Sequence, residues 1–212
     1  MIKFRNYSYL LILTVFFTIG CLHQEEVSIK TDIDGIELKD KKKKLMETSV
    51  LGGGCFWCTE AVFERIDGIK DVTSGYAGGE PPNPTYKQIC TGETGHAEVI
   101  KITFDPAVIN FAKILDIFGD CHDPTTLNRQ GADAGTQYRS TIMYLSEHQK
   151  EQAKQWKEQL SQKIEDPVVT EIVPAPTFYI AEEYHQDYYK KNPNQGYCSF
   201  VIRPKLKKLN LE

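Results

Sequence analysis

The 212-residue chain has no basic excess: 25 Lys and Arg stand against 29 Asp and Glu, a net charge of −4. It has no arginine-rich run and no basic stripe, so nucleic-acid binding is not expected. The short Lys41–Lys44 run reads as part of a solvated linker. There is no internal repeat and no low-complexity tract. The apolar run Tyr9–Gly20 is too short to cross a bilayer comfortably, since a span needs about 20 residues. Close cysteine pairs are scarce. Cys55 and Cys58 form one C-x-x-C, and Cys121-His122 lies far away. Structural zinc usually shows two such pairs, so a metal site is not expected.

What is present begins with a targeting segment, residues 1–21. Lys3 and Arg5 supply a positive start and Tyr9–Gly20 an apolar core of signal-peptide length. The segment ends Thr18-Ile19-Gly20-Cys21, which resembles the lipobox of bacterial lipoproteins, although Thr18 stands where an aliphatic residue is usual. Acylation of Cys21 is expected, with an ordinary cleaved signal or an uncleaved anchor as the rival readings. Removal of residues 1–20 leaves 23 basic against 29 acidic residues. Residues 22–46 are polar and charged and read as a tether. The globular domain is expected at 47–212.

The most informative stretch is Gly52-Gly53-Gly54-Cys55-Phe56-Trp57-Cys58-Thr59-Glu60. Glycines allow a tight turn and close approach of a ligand. Trp57, Ala61, Val62 and Ile66 recur at helical spacing, which predicts a helix over Cys55–Ile66. Cys55 then lies at its N-terminus, where free N–H groups and the helix dipole favour a thiolate. Phe56 and Trp57 give that nucleophile an apolar wall.

Strands and helices alternate through the rest. Strands are expected at Thr48–Leu51, Ile69–Tyr76, His96–Phe104, Gln137–Leu145 and Val168–Val173. Helices are expected after Asn110, from a Ser146/Gln149 capping box to about Ile164, and over Ala181–Lys190. The tail from Asn192 reads as irregular. Such mixing argues for an α/β or α+β domain.

On the strand at His96–Phe104, Glu98 shares a face with Ile100, Ile102 and Phe104. Desolvation there would keep its carboxyl protonated near neutral pH and make it a general acid. If instead the strand end reaches water, or a base pairs with it, Glu98 is structural. Tyr86 and Tyr138 can donate to a developing oxyanion; each alone reads more simply as packing, and Asp133 as a loop residue. Cys198, beside Gly196-Tyr197 near the end, is a candidate second redox cysteine. Cys90 and Cys121 read as partly buried thiols.

Taken together, several motifs resemble the A-type peptide methionine sulfoxide reductases. They are Gly53-Gly54-Cys55-Phe56-Trp57, Val72-Thr73-Ser74-Gly75-Tyr76-Ala77-Gly78-Gly79, Asn83-Pro84-Thr85-Tyr86 and Thr91-Gly92-Glu93-Thr94-Gly95-His96-Ala97-Glu98. His122-Asp123-Pro124-Thr125, Gln137-Tyr138-Arg139-Ser140, Glu182-Glu183-Tyr184-His185-Gln186-Asp187-Tyr188 and Gly196-Tyr197-Cys198 continue the match in order, from about Leu51 to Lys207. The resemblance implies an α/β (α+β) two-layer sandwich around a mixed central sheet with flanking helices. It implies roles as well: Cys55 as nucleophile, Phe56 and Trp57 around the substrate S-methyl group, and Glu98 as the acid. Tyr86, Tyr138 and Asp133 would surround the sulfoxide oxygen, and Cys198 would resolve the oxidised nucleophile.

The implied chemistry is reduction of the S epimer of methionine sulfoxide, free or in proteins. Cys55 becomes a sulfenic acid, a second thiol condenses with it, and thioredoxin or a thioredoxin-like reductant resets the pair. No metal or organic cofactor is implied, and a monomer is expected. One departure is Cys58, where many family members have Gly; it is an alternative resolving thiol. The lipobox-like start implies export to the cell envelope and a membrane anchor. Two other readings stay open: a general C-x-x-C disulfide oxidoreductase, and a non-catalytic envelope lipoprotein that binds oxidised peptides.

Overall fold

The computed structural model describes residues 46–212; the expected signal segment, Cys21 and nearly all of the tether lie outside the described residues. The elements are β1 (Glu47–Gly52), α1 (Phe56–Phe63), β2 (Ile69–Ala77), α2 (Tyr86–Ile89), β3 (Ala97–Phe104), α3 (Phe111–Cys121), β4 (Arg129–Gln130), β5 (Asp133–Ala134), β6 (Thr141–Tyr144), α4 (Glu147–Ser161), β7 (Glu171–Pro174), β8 (Tyr179–Ile180), α5 (Tyr188–Lys191) and α6 (Arg203–Lys208). Six strands form one mixed sheet in the order β7-β6-β1-β3-β2-β8. Only β6 and β7 pair in parallel; the other pairs are antiparallel.

Alternation along the strands divides the core in two. Leu51, Ile100, Ile102, Phe104 and Ile142 face a large cluster with side chains of α1, α3, α4 and α6. Val50, Val99 and Met143 face the other way, into a small cluster covered by Val173, Ala175 and Phe178. The first half of β3 is therefore buried on both faces, which explains why Val99 blurs its apolar-polar alternation. The amphipathic stripe of α3 buries Phe111, Ile114, Leu115 and Phe118, and the Asn110 side chain caps it by accepting from Lys113 N. Ser146 caps α4, but Gln149 does not complete the box. Its Oε1 accepts from Leu145 N and its Nε2 donates to Thr48 O, so it ties α4 to β1 instead.

The expected mixed sheet with flanking helices is present. The largest departure is C-terminal. The expected helix over Ala181–Lys190 is two short pieces after the end of β8: a 3-10 turn at Glu183–His185, and α5. The expected irregular tail is ordered as a π turn, Cys198–Ile202, running directly into α6. Ile202 and Leu206 are fully buried in the main core, and that burial fixes the segment.

Candidate active site

Register sets the site. β1 runs antiparallel to β3 with Leu51 opposite Ile100, so the end of β1 lies beside the start of β3. The chain leaves β1 through Gly53 and Gly54 into α1. Gly54 has φ +89, and a Cβ there would stand 2.5 Å from the Gln130 side chain. A Cβ on Gly53 would stand 2.8 Å from the Phe118 ring. Cys55 is the N-cap of α1, 8% exposed. Glu98, the second residue of β3, is 2% exposed, and its Oε2 accepts from Phe56 N at 3.0 Å. The carboxyl thus sits on the amide directly after the cysteine.

That bond changes the electrostatics expected of Cys55. One of the free helix-start N–H groups serves Glu98, not the sulfur. Burial pushes the Cys55 thiol well up, aided by its hydrogen bond to Cys58 and by the Glu98 charge. In the free protein Cys55 is held as a thiol, a correction to the thiolate expected from position alone. Cys58 goes the other way. The hydrogen bond from Cys55 pulls it down to about 7, against burial; the Lys205 charge and the Tyr197 hydroxyl assist. Glu98 is pushed up to about 8, chiefly by burial, with the Phe56 N–H opposing and the charges of Asp133 and Cys58 adding. It holds its proton at neutral pH, as a general acid must.

The other residues singled out in the sequence converge here on different elements from those expected. Tyr86 opens α2, and its N–H donates to Glu182 Oε1 at 2.8 Å. Tyr138 ends a 3-10 turn, Thr136–Tyr138; the expected strand at Gln137 starts only at Thr141. Asp133 lies in β5, paired with β4. Burial holds both phenols protonated. The next contributions are Cys90 and Glu98 for Tyr86, and Glu98, Cys55 and Asp133 for Tyr138. Phe56 is 1% exposed and Trp57 half-buried. Cys198 is fully buried in the π turn, a correction to the irregular tail expected around it. Cys121 is buried, but Cys90 is exposed, contrary to its expected partial burial. All five described cysteines are free thiols.

Several residues of the site were not marked by the sequence pattern. Tyr188 stacks on Trp57 with centroids 3.6 Å apart and planes within 5°. Trp57 Nε1 donates to His185 Nδ1 at 3.1 Å. Burial lowers the His185 pKa, so the ring is a neutral acceptor. Tyr197 donates to Asp133 Oδ2 at 2.7 Å and lies 3.5 Å from Cys58 Sγ. These partners are some 64 to 139 residues apart in the chain, beyond any local period. Only the family-like runs Glu182–Tyr188 and Gly196–Cys198 hinted at them.

The arrangement holds two adjacent thiols, a protonated carboxyl, phenols and an apolar wall. The family model for peptide methionine sulfoxide reductase matches residues 47–212. The chain belongs to that family. This reductase is an oxidoreductase, and it is 54% identical over 179 residues to peptide methionine sulfoxide reductase MsrA 1 of Rhodopirellula baltica, covering 84% of this chain and 92% of that one. Among solved structures, the reduced form of Mxr1 from Saccharomyces cerevisiae is 39% identical, with a TM-score of 0.70 over 73% of this chain and 90% of the other. A second structure of the yeast protein, in complex with Trx2, is 29% identical, with a TM-score of 0.51 over 68% and 86%.

Proposed function

We propose that this reductase converts the S epimer of methionine sulfoxide, free or in proteins, to methionine as oxidative-damage repair in the cell envelope. The observation that carries the chemical reading is the protonated Glu98 carboxyl bonded to the amide that follows Cys55. Cys55 sulfur attacks the sulfoxide sulfur while its proton passes to Cys58. Glu98 protonates the sulfoxide oxygen, with Tyr86, Tyr138 and Asp133 around it. The substrate S–O bond then breaks and its hydroxyl passes to the Cys55 sulfur as a sulfenic acid, while the transient bond between the two sulfurs breaks and methionine leaves, its methyl group held by Phe56 and Trp57. A second thiol, Cys198, condenses with the sulfenic acid to a disulfide and releases water. A dithiol of the thioredoxin class then reduces that disulfide by exchange. The yeast relative solved with Trx2 supports that partner. Purified protein with dithiothreitol should reduce the S epimer and leave the R epimer. Inertness toward both would refute the proposal.

The envelope assignment rests on residues 1–21. Cys21 is acylated after removal of residues 1–20, and residues 22–46 tether the enzyme to the membrane. Intact mass of membrane-derived protein reads the modification directly. A soluble, unmodified native protein beginning downstream of Cys21 refutes the anchor.

A further inference from the structure

Glu60 is a buried carboxylate that the chemistry above does not use. It is 1% exposed. Its hydrogen-bond donors are two consecutive main-chain amides and one hydroxyl. Asp187 N donates to Oε1 at 3.1 Å, Tyr188 N to Oε2 at 3.0 Å, and Ser74 Oγ to Oε1 at 3.0 Å. Asp187 has φ 53, the left-handed conformation in which its amide and the next bond the same acceptor. Burying an acid is unfavourable unless its bonds are needed. The turn it holds carries Tyr188, whose ring lies on Trp57. Trp57 and Glu60 are three residues apart and share a face of α1. Tyr188 is therefore fixed to one helix face at both its amide and its ring.

We propose that Glu60 is a positioning residue for the methyl-binding wall: by clamping the Asp187–Tyr188 turn it seats Tyr188 on Trp57 and sets the indole against which the substrate's S-methyl group packs. This rests on the reading of Trp57 as that wall. The neighbouring bonds have the same effect. Gln186 locks onto both main-chain groups of Ser74, and Lys190 bridges Glu64 to Asp187. The segment Ala181–Lys191 is thus held between α1 and β2, and Glu60 is the buried acceptor on its α1 side.

The test is a cycle of Glu60→Gln and Tyr188→Ala in the full protein, with a methyl sulfoxide and its S-ethyl analogue as substrates and dithiothreitol as reductant. Glutamine presents an N–H₂ to one of the two amides and cannot accept from both. Glu60→Gln should raise KM for the methyl substrate about tenfold, the change that about 1.4 kcal/mol gives, with the saturated single-turnover rate changed less than about twofold. Methyl-over-ethyl preference should fall. In the Tyr188→Ala background the same change should add almost nothing. An unchanged KM, or an equal rise in both backgrounds, overturns the proposal. If Glu60→Gln does not fold, Glu60→Asp is read by the same criteria, and failure of both to fold makes Glu60 a residue of the fold alone. Trp57 emission, followed with Trp156→Phe, separates the two layers of inference. Wild-type protein inert to sulfoxides would sink the substrate reading, yet an emission shift in Glu60→Gln would still show the clamp, and its absence would deny it.

Discussion

Gly52–Phe63 and Ala181–Lys208 build one site from opposite ends of the domain. The first carries its instructions locally. Glycines enable the turn, apolar spacing forms the helix, and a cysteine stands where they meet. The second carries few local instructions. Its turns are short, α5 has four residues, and its order comes from acceptors far away: Glu60, Ser74 and Asp133. A segment fixed by distant partners shows little local pattern, yet it can be as well ordered as a segment fixed by its own period. The chemistry divides the same way. On the proposed mechanism the first region makes methionine, and the second shapes the pocket and supplies the recycling thiol.

The sharpest way to break this division is at Cys55. Cys55→Ser should abolish methionine formation in a single turnover without reductant, because an alcohol there is far less nucleophilic. Methionine formed by the variant would move the nucleophile elsewhere, with Cys58 next in line.

Glu98→Gln should slow the chemical step on the order of 10²–10⁴-fold and leave substrate binding nearly intact. In wild type the rate should fall as pH rises through about 8, where Glu98 loses its proton, and the variant should lack that limb. Stability follows the same sign. The folded carboxyl binds its proton more tightly than the unfolded one, so Glu98 destabilises the fold progressively as pH rises from about 4.5 through about 8. Denaturant titration of Glu98→Gln should show a flatter pH dependence. A single-turnover rate equal to wild type would return Glu98 to a structural role.

Cys198→Ser tests the second region. It should still give one methionine per enzyme but lose turnover with a thioredoxin-like dithiol, while a small thiol can rescue it. Cys58→Ser should keep most dithiol-linked turnover. Peptide mapping after one turnover decides between them. A Cys55–Cys58 linkage in wild type, with none to Cys198, would place both steps in the first region and erase the division. The geometry leaves this contest real, since two cysteines three residues apart at a helix start can bridge.

Much of the first region was legible because its signals are local. Glu98 was legible only to half. Strand period put it on the apolar face, but only the register of β1 on β3 shows it bonded to Phe56 N. Burial, with the Cys58 hydrogen bond and the Glu98 charge adding to it, explains why position alone overstates the thiolate on Cys55. Tyr138 fell to a wrong element because Thr136–Tyr138 is a 3-10 turn too short to leave a period. The tail around Cys198 reads as irregular because Gly196-Tyr197 stands before it in sequence; the buried Ile202 and Leu206 that hold it lie after it.

The smallest expected effect asks how far the second region reaches into the chemistry of the first. The Tyr197 phenol donates to Asp133 and touches Cys58 Sγ. Tyr197→Phe removes both contacts and keeps the ring against Trp57. A hydrogen bond is worth about 1 kcal/mol net, so the first thiolate titration of the Cys55–Cys58 pair should rise from about 7 by under ~1 pH unit. Sulfoxide KM should change about threefold or less. The titration can be followed by thiolate absorbance with the exposed Cys90 changed to serine. Cys121, pushed up to about 12, and Cys198, also pushed up by burial, do not interfere at neutral pH. A titration that stays in place would mean that the tail lends the first region a thiol and a wall but does not tune its sulfur.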